Sequence, residues 1–255
     1  MLSVYLAPLG AGPCFQREPD RPYYAASTMK VAVLAALYRS GLDLDTPVPV
    51  TNAFRSAAPV PAPSYGIPPD WETDAETWHL LGTRASLRRL ARQMIVHSSN
   101  LATNTILDHV GFDAVNEVWR LAGALHSVTR RGIEDAAARA VGLTNLVTAA
   151  DLARLVTWLP GELLELLAAN VHDVDLAAGL PAGTPIAFKN GWITGIRHSV
   201  GVVRPPDSPA YVIAVCYAGP LANGDATGDP AARVLARVSA GVWSRRHRLT
   251  AGEAR

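Results

Sequence analysis

Extended segments lie at both ends of this chain, and a long helical block separates them. Residues 2–7 are apolar and rich in strand formers, and a short extended piece follows near residues 14–16. After residue 183, Gly, Pro and Asp separate three apolar runs, TPIAFKNG, HSVGVV and AYVIAVCYAG. The strands at either end are too few to form separate stable sheets. We therefore expect one sheet that is built from both ends of the chain.

The middle of the chain follows helical periodicity. We predict helices near residues 27–40, 86–95, 100–109, 113–122 and 148–157, and a last helix over 229–246. Residues 54–72 are too rich in Pro for a regular element and predict a long loop. The fold class is then α+β, an α/β sandwich with an all-α lobe. We expect one domain over 1–255, with a sheet lobe (1–49 and 180–255) and a helical lobe (50–179).

Composition excludes several classes of protein. A formal net charge of +1 over 255 residues argues against a nucleic-acid-binding surface, and the basic run at 245–248 is typical of a solvated helix end. No apolar stretch approaches the length of a membrane span. The first residues lack a basic region before their apolar run, which predicts a cytoplasmic protein without a signal peptide. The histidines lack metal-ligand spacing, so we expect no metal and no cofactor.

The two cysteines and the serine–lysine pair at the first long helix leave alternatives open. Cys14 and Cys216 could form one bridge, although two thiols fit the composition better. Ser27 and Lys30 stand three positions apart at the head of AASTMKVAVLAALY and share a helix face. A serine at a helix start is most often a cap. A serine hydroxyl with a lysine as its base is instead a nucleophile.

Two further motifs follow in order. MIVHSSNLATN contains Ser98-Ser99-Asn100, where two helical segments meet, and AFKNGW places Lys189-Asn190-Gly191 at the end of a strand. In this order and spacing, the three motifs resemble the S-x-x-K, S-D-N and K-T-G set of the class A β-lactamases and related penicillin-recognising serine hydrolases. The segments LRRLARQMIVHSSNLATNTILDHVG and TAADLARLV extend the resemblance over nearly the whole chain.

The resemblance implies a β-lactamase-like fold with an antiparallel sheet, and a role for each motif residue. Ser27 would attack an amide, lactam or ester carbonyl and form an acyl-enzyme, while Lys30 would take its proton. Ser98 would pass a proton to the leaving group. Asn100 would bind the substrate's side-chain amide. Lys189 would supply a positive potential that favours an anionic substrate.

Other implied roles depend on the end of the lysine strand. The backbone N–H groups of Ser27 and Trp192 would form an oxyanion hole, and Gly191 would let a ligand approach the backbone. Asn190 stands where the family has a threonine that meets the substrate carboxylate, so recognition of that carboxylate is in doubt. Arg197 would be a compensating cation, or else a solvated loop arginine.

The region that should remove the acyl group departs most from the family. RRGIEDAAARAVGLTN contains Glu134, which would activate the hydrolytic water, but Ala138 stands where the family has an asparagine. Asp135 could also activate water or could form a structural ion pair with Arg131. Ser99 replaces the aspartate of the second motif, a change that concerns mainly loop structure.

The leading hypothesis is therefore a serine hydrolase that acts through an acyl-enzyme on Ser27. We expect its partner to be a small-molecule substrate, anionic or acyl-bearing, with no nucleic acid or membrane partner and a monomeric chain. One alternative is an intracellular esterase or transacylase that acts on a small molecule. Another is a penicillin-binding protein that acylates but deacylates poorly.

Overall fold

A computed structural model describes residues 1–59 and 64–249. Residues 60–63 of the predicted loop and residues 250–255 of the predicted domain lie outside this description. The strands are β1 (Leu2–Pro8), β2 (Phe15–Arg17), β3 (Tyr23–Tyr24), β4 (Pro47–Pro49), β5 (Phe54–Arg55), β6 (Ser64–Tyr65), β7 (Arg84–Ser86), β8 (Leu146–Val147), β9 (Ile186–Ile193), β10 (Ile196–Val203) and β11 (Tyr211–Ala218). The helices are α1 (Lys30–Arg39), α2 (Ala75–His79), α3 (Leu87–Val96), α4 (Asn100–Leu121), α5 (Ala136–Ala140), α6 (Ala149–Trp158), α7 (Gly161–Ala168) and α8 (Pro230–Trp243).

The main sheet confirms that both ends of the chain build one sheet. Its five strands lie in the order β2-β1-β11-β10-β9, and every neighbouring pair is antiparallel. Successive side chains of a strand point to opposite faces. One face buries Val4, Leu6 and Val215 in a cluster with Leu235 of α8, and α6 packs on β1, β10 and β11. The fold is therefore α+β, as predicted.

The chain forms two compact units, which do not follow the predicted lobe boundaries residue by residue. Unit 1 comprises Met1–Thr28, Ala122–Ser127 and Leu146–Arg255. It contains the main sheet with α6, α7 and α8. Unit 2 comprises Met29–Leu121 and Val128–Asn145 and contains α1 to α5. The division into a sheet lobe and a helical lobe at residues 49 and 180 stays a prediction.

In unit 2, α1 is the central helix. All residues from Lys30 to Leu37 are buried, and α1 packs on α3 and α4. The two helices predicted over 100–109 and 113–122 form the single element α4, which is kinked at Gly111 (φ 75°, ψ 161°). The pattern missed α2, which spans only five residues and starts from an aspartate cap, Asp74.

Two expectations drawn from the composition can be compared with the structure. Cys14 and Cys216 are both free thiols. Within the described part of the chain, every helix is too short or too polar to cross a membrane.

Candidate active site

Ser27 does not cap the first helix. It lies on a 3-10 turn, Ala26–Met29, which the Thr28 hydroxyl closes by donating to the carbonyl of Ala25 at 2.6 Å. The turn continues directly into α1, whose N-cap position is Met29, without a side-chain cap hydrogen bond. Ser27 itself is partly exposed. The cap alternative for this serine is therefore wrong.

Gly191 of β9 lies close to the backbone of Ser27 in unit 1. A Cβ atom on Gly191 would lie 2.6 Å from the amide nitrogen of Ser27 and 2.9 Å from that of Thr28. Real Cβ atoms essentially never approach other atoms so closely. This close approach requires glycine, and the predicted approach of a ligand to Gly191 stays a prediction.

The amide of Trp192 points out of the edge of the sheet. A two-residue turn joins Ile193 to Ile196, which pair across the hairpin, and such a turn hydrogen-bonds its closing pair. In an antiparallel ladder, hydrogen-bonded and non-bonded pairs alternate. The next pair, Trp192 and Arg197, is therefore non-bonded. Since β9 is an edge strand of the sheet, the Trp192 N–H is available to an acceptor on that edge.

In unit 2 the structure brings together Lys30, Ser98 and Asn100. The buried amine of Lys30 donates to the Ser98 carbonyl, to the Ser98 hydroxyl at 3.2 Å and to Oδ1 of Asn100 at 2.8 Å. Ser98 has φ 60°, an uncommon backbone conformation for serine. The Ser99 hydroxyl accepts the amide of Ala102 at 3.1 Å and caps the start of α4, which explains why serine can replace the motif's aspartate.

Lys189 is fully buried on β9, and its amine donates to the Asn190 carbonyl at 3.1 Å. Burial lowers the pKa of Lys189 to about 7, and the Asp175 carboxylate opposes this shift. Because side chains alternate along a strand, Lys189 and Gly191 share the face that meets Ser27. Since the pKa of Lys189 is about 7, the positive charge predicted for this lysine depends on pH near neutrality.

Asn190 is turned away from that face. Its amide donates to Asp175 at 2.9 Å and to the His172 carbonyl at 3.4 Å, and it accepts from Asn170 at 2.9 Å. Both amide hydrogens and the amide oxygen are thus committed inside unit 1, and the side chain is fully buried. The expectation that Asn190 replaces the family's threonine toward a substrate carboxylate disagrees with this placement.

The Arg197 side chain also makes its polar contacts within unit 1. It lies on β10 rather than on a solvated loop, and it is fully buried. Its guanidinium contacts Asp175 at 2.6 Å and Asp229 at 3.2 Å, and it lies 4.7 Å from the ring centre of Trp192. Two carboxylates already balance this cation, so the compensating role toward a substrate is not supported, and the solvated-loop alternative is wrong.

Hydrogen bonds within unit 2 fix the residues on both sides of Glu134. The Asn104 amide donates to the Ile133 carbonyl at 2.9 Å and accepts the Ile133 amide at 2.8 Å. On the other side, Asp135 accepts the Ser56 hydroxyl at 2.6 Å and the Ala57 amide at 2.8 Å, and it caps α5. Glu134 itself is half-buried with φ 62°. Asp135 is thus structural, and the role of Glu134 toward water stays a prediction.

Sequence reasoning missed two residues that support this segment. Asn104 follows Asn100 by four positions on α4, so its place on the same helix face was readable from the spacing. Gly132 was not readable: a Cβ atom there would lie 1.9 Å from the Tyr65 hydroxyl, a contact between distant parts of unit 2. Among the described residues there is no group of three or more His, Cys, Asp or Glu that could hold a metal.

His198 is fully buried on β10, directly across from Gly191. Nε2 lies 2.9 Å from the Tyr24 carbonyl, and Nδ1 accepts the Tyr217 amide at 3.3 Å. A carbonyl only accepts, so the proton is on Nε2 and the ring is neutral. Burial lowers the pKa of His198 to about 4, although the hydrogen bond to Tyr24 acts in the opposite direction.

We expect acid to destabilise the protein through His198. The unfolded chain binds a proton at this side chain near pH 6.5, whereas the folded protein does so only near pH 4. Stability therefore falls as the pH drops between these values, by about 3 kcal/mol at the lower end. Urea unfolding at pH 7.5 and pH 4 measures the loss, and His198→Gln is the control without a titrating ring. Equal losses in both proteins would show that another group is responsible.

Comparisons with known proteins identify the family of this chain. The family model described as "Beta-lactamase enzyme family" matches residues 1–245. No curated protein sequence matches the chain significantly. The solved β-lactamase from Sphaerobacter thermophilus DSM 20745 is 22% identical with a TM-score of 0.76, over 98% of this chain and 92% of that chain.

Two further solved structures share the fold. A point mutant of PBP-A, solved as an acyl-enzyme complex with penicillin G, is 24% identical with a TM-score of 0.74, over 96% of this chain and 90% of that chain. L2 complexed with relebactam is 25% identical with a TM-score of 0.73, over 94% and 88%. The family match over nearly the whole chain, with the serine and lysine motifs in order, makes this chain a β-lactamase-like serine hydrolase of the β-lactamase enzyme family.

Proposed function

We propose that this protein cleaves an amide, β-lactam or ester bond through an acyl-enzyme on Ser27. The observation that carries the proposal is the Lys30 amine, which is fully buried and donates to the Ser98 hydroxyl at 3.2 Å. A buried amine that contacts a second serine fits proton transfer better than a surface lysine would. The mutant of PBP-A whose title names an acyl-enzyme with penicillin G gives the precedent among proteins of this fold.

Acylation would proceed in two coupled transfers. The step requires Lys30 in its neutral form, which would accept the hydroxyl proton as Ser27 Oγ attacks the carbonyl carbon. The carbonyl oxygen gains negative charge, which the amides of Ser27 and Trp192 stabilise. The bond to the leaving nitrogen or oxygen then breaks, and Ser98 delivers a proton to that atom. The Lys30 contact to Ser98 offers a route by which this proton is replaced.

Deacylation would use Glu134. Its carboxylate would remove a proton from water, which attacks the acyl carbon; the bond to Ser27 Oγ then breaks, and the proton passes from Glu134 to that oxygen, which releases a carboxylic acid and restores both residues. The two hydrogen bonds between Asn104 and Ile133, together with the contacts of Asp135, hold the backbone around Glu134 in place. This support favours turnover over the alternative of a protein that only sequesters penicillin.

An esterase or transacylase with an uncharged substrate is the second candidate function. It is favoured because Asn190 donates to Asp175 and Arg197 forms ion pairs with two aspartates. Both side chains are fully buried, which disfavours their contact with a substrate carboxylate. Lys189 remains as the cation of this strand, and its pKa of about 7 makes its charge partial at neutral pH.

Time-resolved intact-mass measurement tests the proposal. The protein is mixed with penicillin G, nitrocefin or p-nitrophenyl acetate, and the mass of the acyl-enzyme is followed. We expect an adduct that Ser27→Ala abolishes. We expect Glu134→Gln to acylate normally but to deacylate about 100-fold more slowly or worse, as for loss of a general base.

The matched control is Glu117→Gln, which changes an exposed carboxylate that pairs with Arg120. It should deacylate like the unaltered protein. An adduct that also forms on Ser27→Ala would contradict the assignment of the nucleophile. Normal deacylation by Glu134→Gln would contradict the assignment of the base. Stoichiometric consumption of every substrate by the unaltered protein would instead support sequestration.

A further inference from the structure

A row of four residues crosses the main sheet beneath the segment that leads to Ser27. The strand registers pair Gly191 with His198, His198 with Cys216, and Cys216 with Ser3. Residues directly opposite each other on neighbouring strands share one face of the sheet. The row therefore runs across β9, β10, β11 and β1 on a single face.

Three members of this row contact the segment that leads to Ser27. The Ser3 hydroxyl lies 2.7 Å from the Glu18 carbonyl and 2.8 Å from the Tyr23 hydroxyl. His198 donates to the Tyr24 carbonyl at 2.9 Å, and its ring meets that of Tyr23 edge-on at 5.3 Å. Gly191 meets the amide nitrogens of Ser27 and Thr28.

The segment needs such a support because its backbone is strained next to the nucleophile. Ala26 has φ 45°, a left-handed conformation that costs a residue with a Cβ atom about 1–2 kcal/mol. A strained residue persists only where its surroundings hold it. The hydrogen bond from His198 fixes the carbonyl two residues before Ala26, and Gly191 limits the position of the residue after it.

We propose that His198 is a positioning residue for Ser27: its Nε2–H holds the Tyr24 carbonyl and so fixes the strained turn that aims the nucleophile. This inference rests on the proposed function, because its readout is acylation of Ser27. His198 does not touch the substrate and takes no proton in the reaction. Its neutral state is required, because a proton on Nδ1 would face the Tyr217 N–H, which already points at that atom.

Three substitutions separate the two hydrogen bonds of the ring. The amide nitrogen of glutamine can take the place of Nε2, so His198→Gln keeps a donor toward Tyr24. Asparagine is shorter and can offer an acceptor only where Nδ1 stood, so His198→Asn keeps the contact to Tyr217 and loses the one to Tyr24. His198→Met fills the space and keeps neither hydrogen bond. Cys216→Ala alters the same row without a change at Tyr24 and serves as the control for a general loss of packing.

The experiment measures single-turnover acylation and deacylation by intact mass, with thermal unfolding of each variant as a record of stability. We expect His198→Asn and His198→Met to acylate about 10- to 100-fold more slowly, because a displacement near 1 Å can cost that much. His198→Gln should stay within about threefold, Cys216→Ala should acylate normally even where it lowers stability, and deacylation should not change. If His198→Asn does not fold, His198→Met carries the same test.

The inference is overturned if His198→Asn or His198→Met acylates at the unaltered rate, if Cys216→Ala slows acylation equally, or if acylation follows stability across the set. It is also overturned if His198→Gln is as slow as His198→Asn, since the contact to Tyr24 would then not matter. If the unaltered protein is acylated and no variant changes the rate, only the positioning role is rejected. Absence of acylation in the unaltered protein rejects the proposed function as well.

Discussion

Gly191→Ala should acylate at least about 100-fold more slowly than the unaltered protein. The added Cβ would lie 2.6 Å from the Ser27 amide nitrogen and 2.9 Å from that of Thr28. Both are backbone atoms, so the turn that carries the nucleophile or the edge of β9 must move. Loss of one oxyanion donor costs about 10²–10³ in rate in comparable sites, and this displacement disturbs the Ser27 donor and the aim of the hydroxyl together. The rate of adduct formation, measured by intact mass, checks the prediction.

A matched glycine provides the control for this substitution. Gly161 begins α7, and a Cβ atom there would meet no atom within 4 Å. Gly161→Ala should therefore acylate like the unaltered protein. Unchanged acylation by Gly191→Ala would show that Ser27 does not depend on its contact with β9, and it would remove the amide of Ser27 from the oxyanion hole.

The free energy of unfolding of Arg197→Met should be lower by about 3–5 kcal/mol, because the substitution breaks a buried ion pair. The guanidinium is fully buried between Asp175 and Asp229, and it also donates to the Ala226 carbonyl at 2.8 Å. Burial already raises the pKa of Asp175 above its ordinary value, although Arg197 lies against it. Removal of the arginine would leave two buried carboxylates without this cation. Urea unfolding at neutral pH measures the change in the free energy of unfolding.

Two further variants make the Arg197 result specific. Arg88→Met breaks an exposed pair with Asp45 and should change stability little. Addition of Asp175→Asn to Arg197→Met should recover part of the loss, because one uncompensated charge is removed. If Arg197→Met were as stable as the unaltered protein but bound an anionic substrate more weakly, the arginine would be a substrate ligand and not a structural cation.

The predicted elements that agree with the structure are those with strong periodicity. The helices near 86–95 and 148–157 lie at Leu87–Val96 and Ala149–Trp158, because their apolar stripes are long enough to dictate one face. The pattern at 100–109 and 113–122 gave the right helical content but not its continuity, since Gly111 kinks one element rather than ending it. Short elements such as α5 depend on local contacts of Asp135 that periodicity does not encode.

The residue types of the motifs were readable, whereas the directions of their side chains were not. The structure brings Lys30, Ser98 and Asn100 together in unit 2, and these are residues of the motifs that carry the family resemblance. Asn190 occupies a predicted strand, whereas Arg197 was not assigned to one, and both side chains serve the buried network around Asp175. No spacing rule reveals this, because Asp175 lies outside every motif.

The amino-acid sequence by itself determined that both ends of the chain form one sheet and which residue types are candidates for the chemistry. Long apolar runs favour burial, and a serine three positions before a lysine shares a helix face with it, but such a pair reacts only where its surroundings activate it. Only the tertiary structure decided which polar groups remain available. Tyr24 and His198 are 174 positions apart, and Asn104 lies 29 positions from Ile133. Hydrogen bonds across such separations depend on strand register and helix packing, because these bring each donor within about 3 Å of its acceptor.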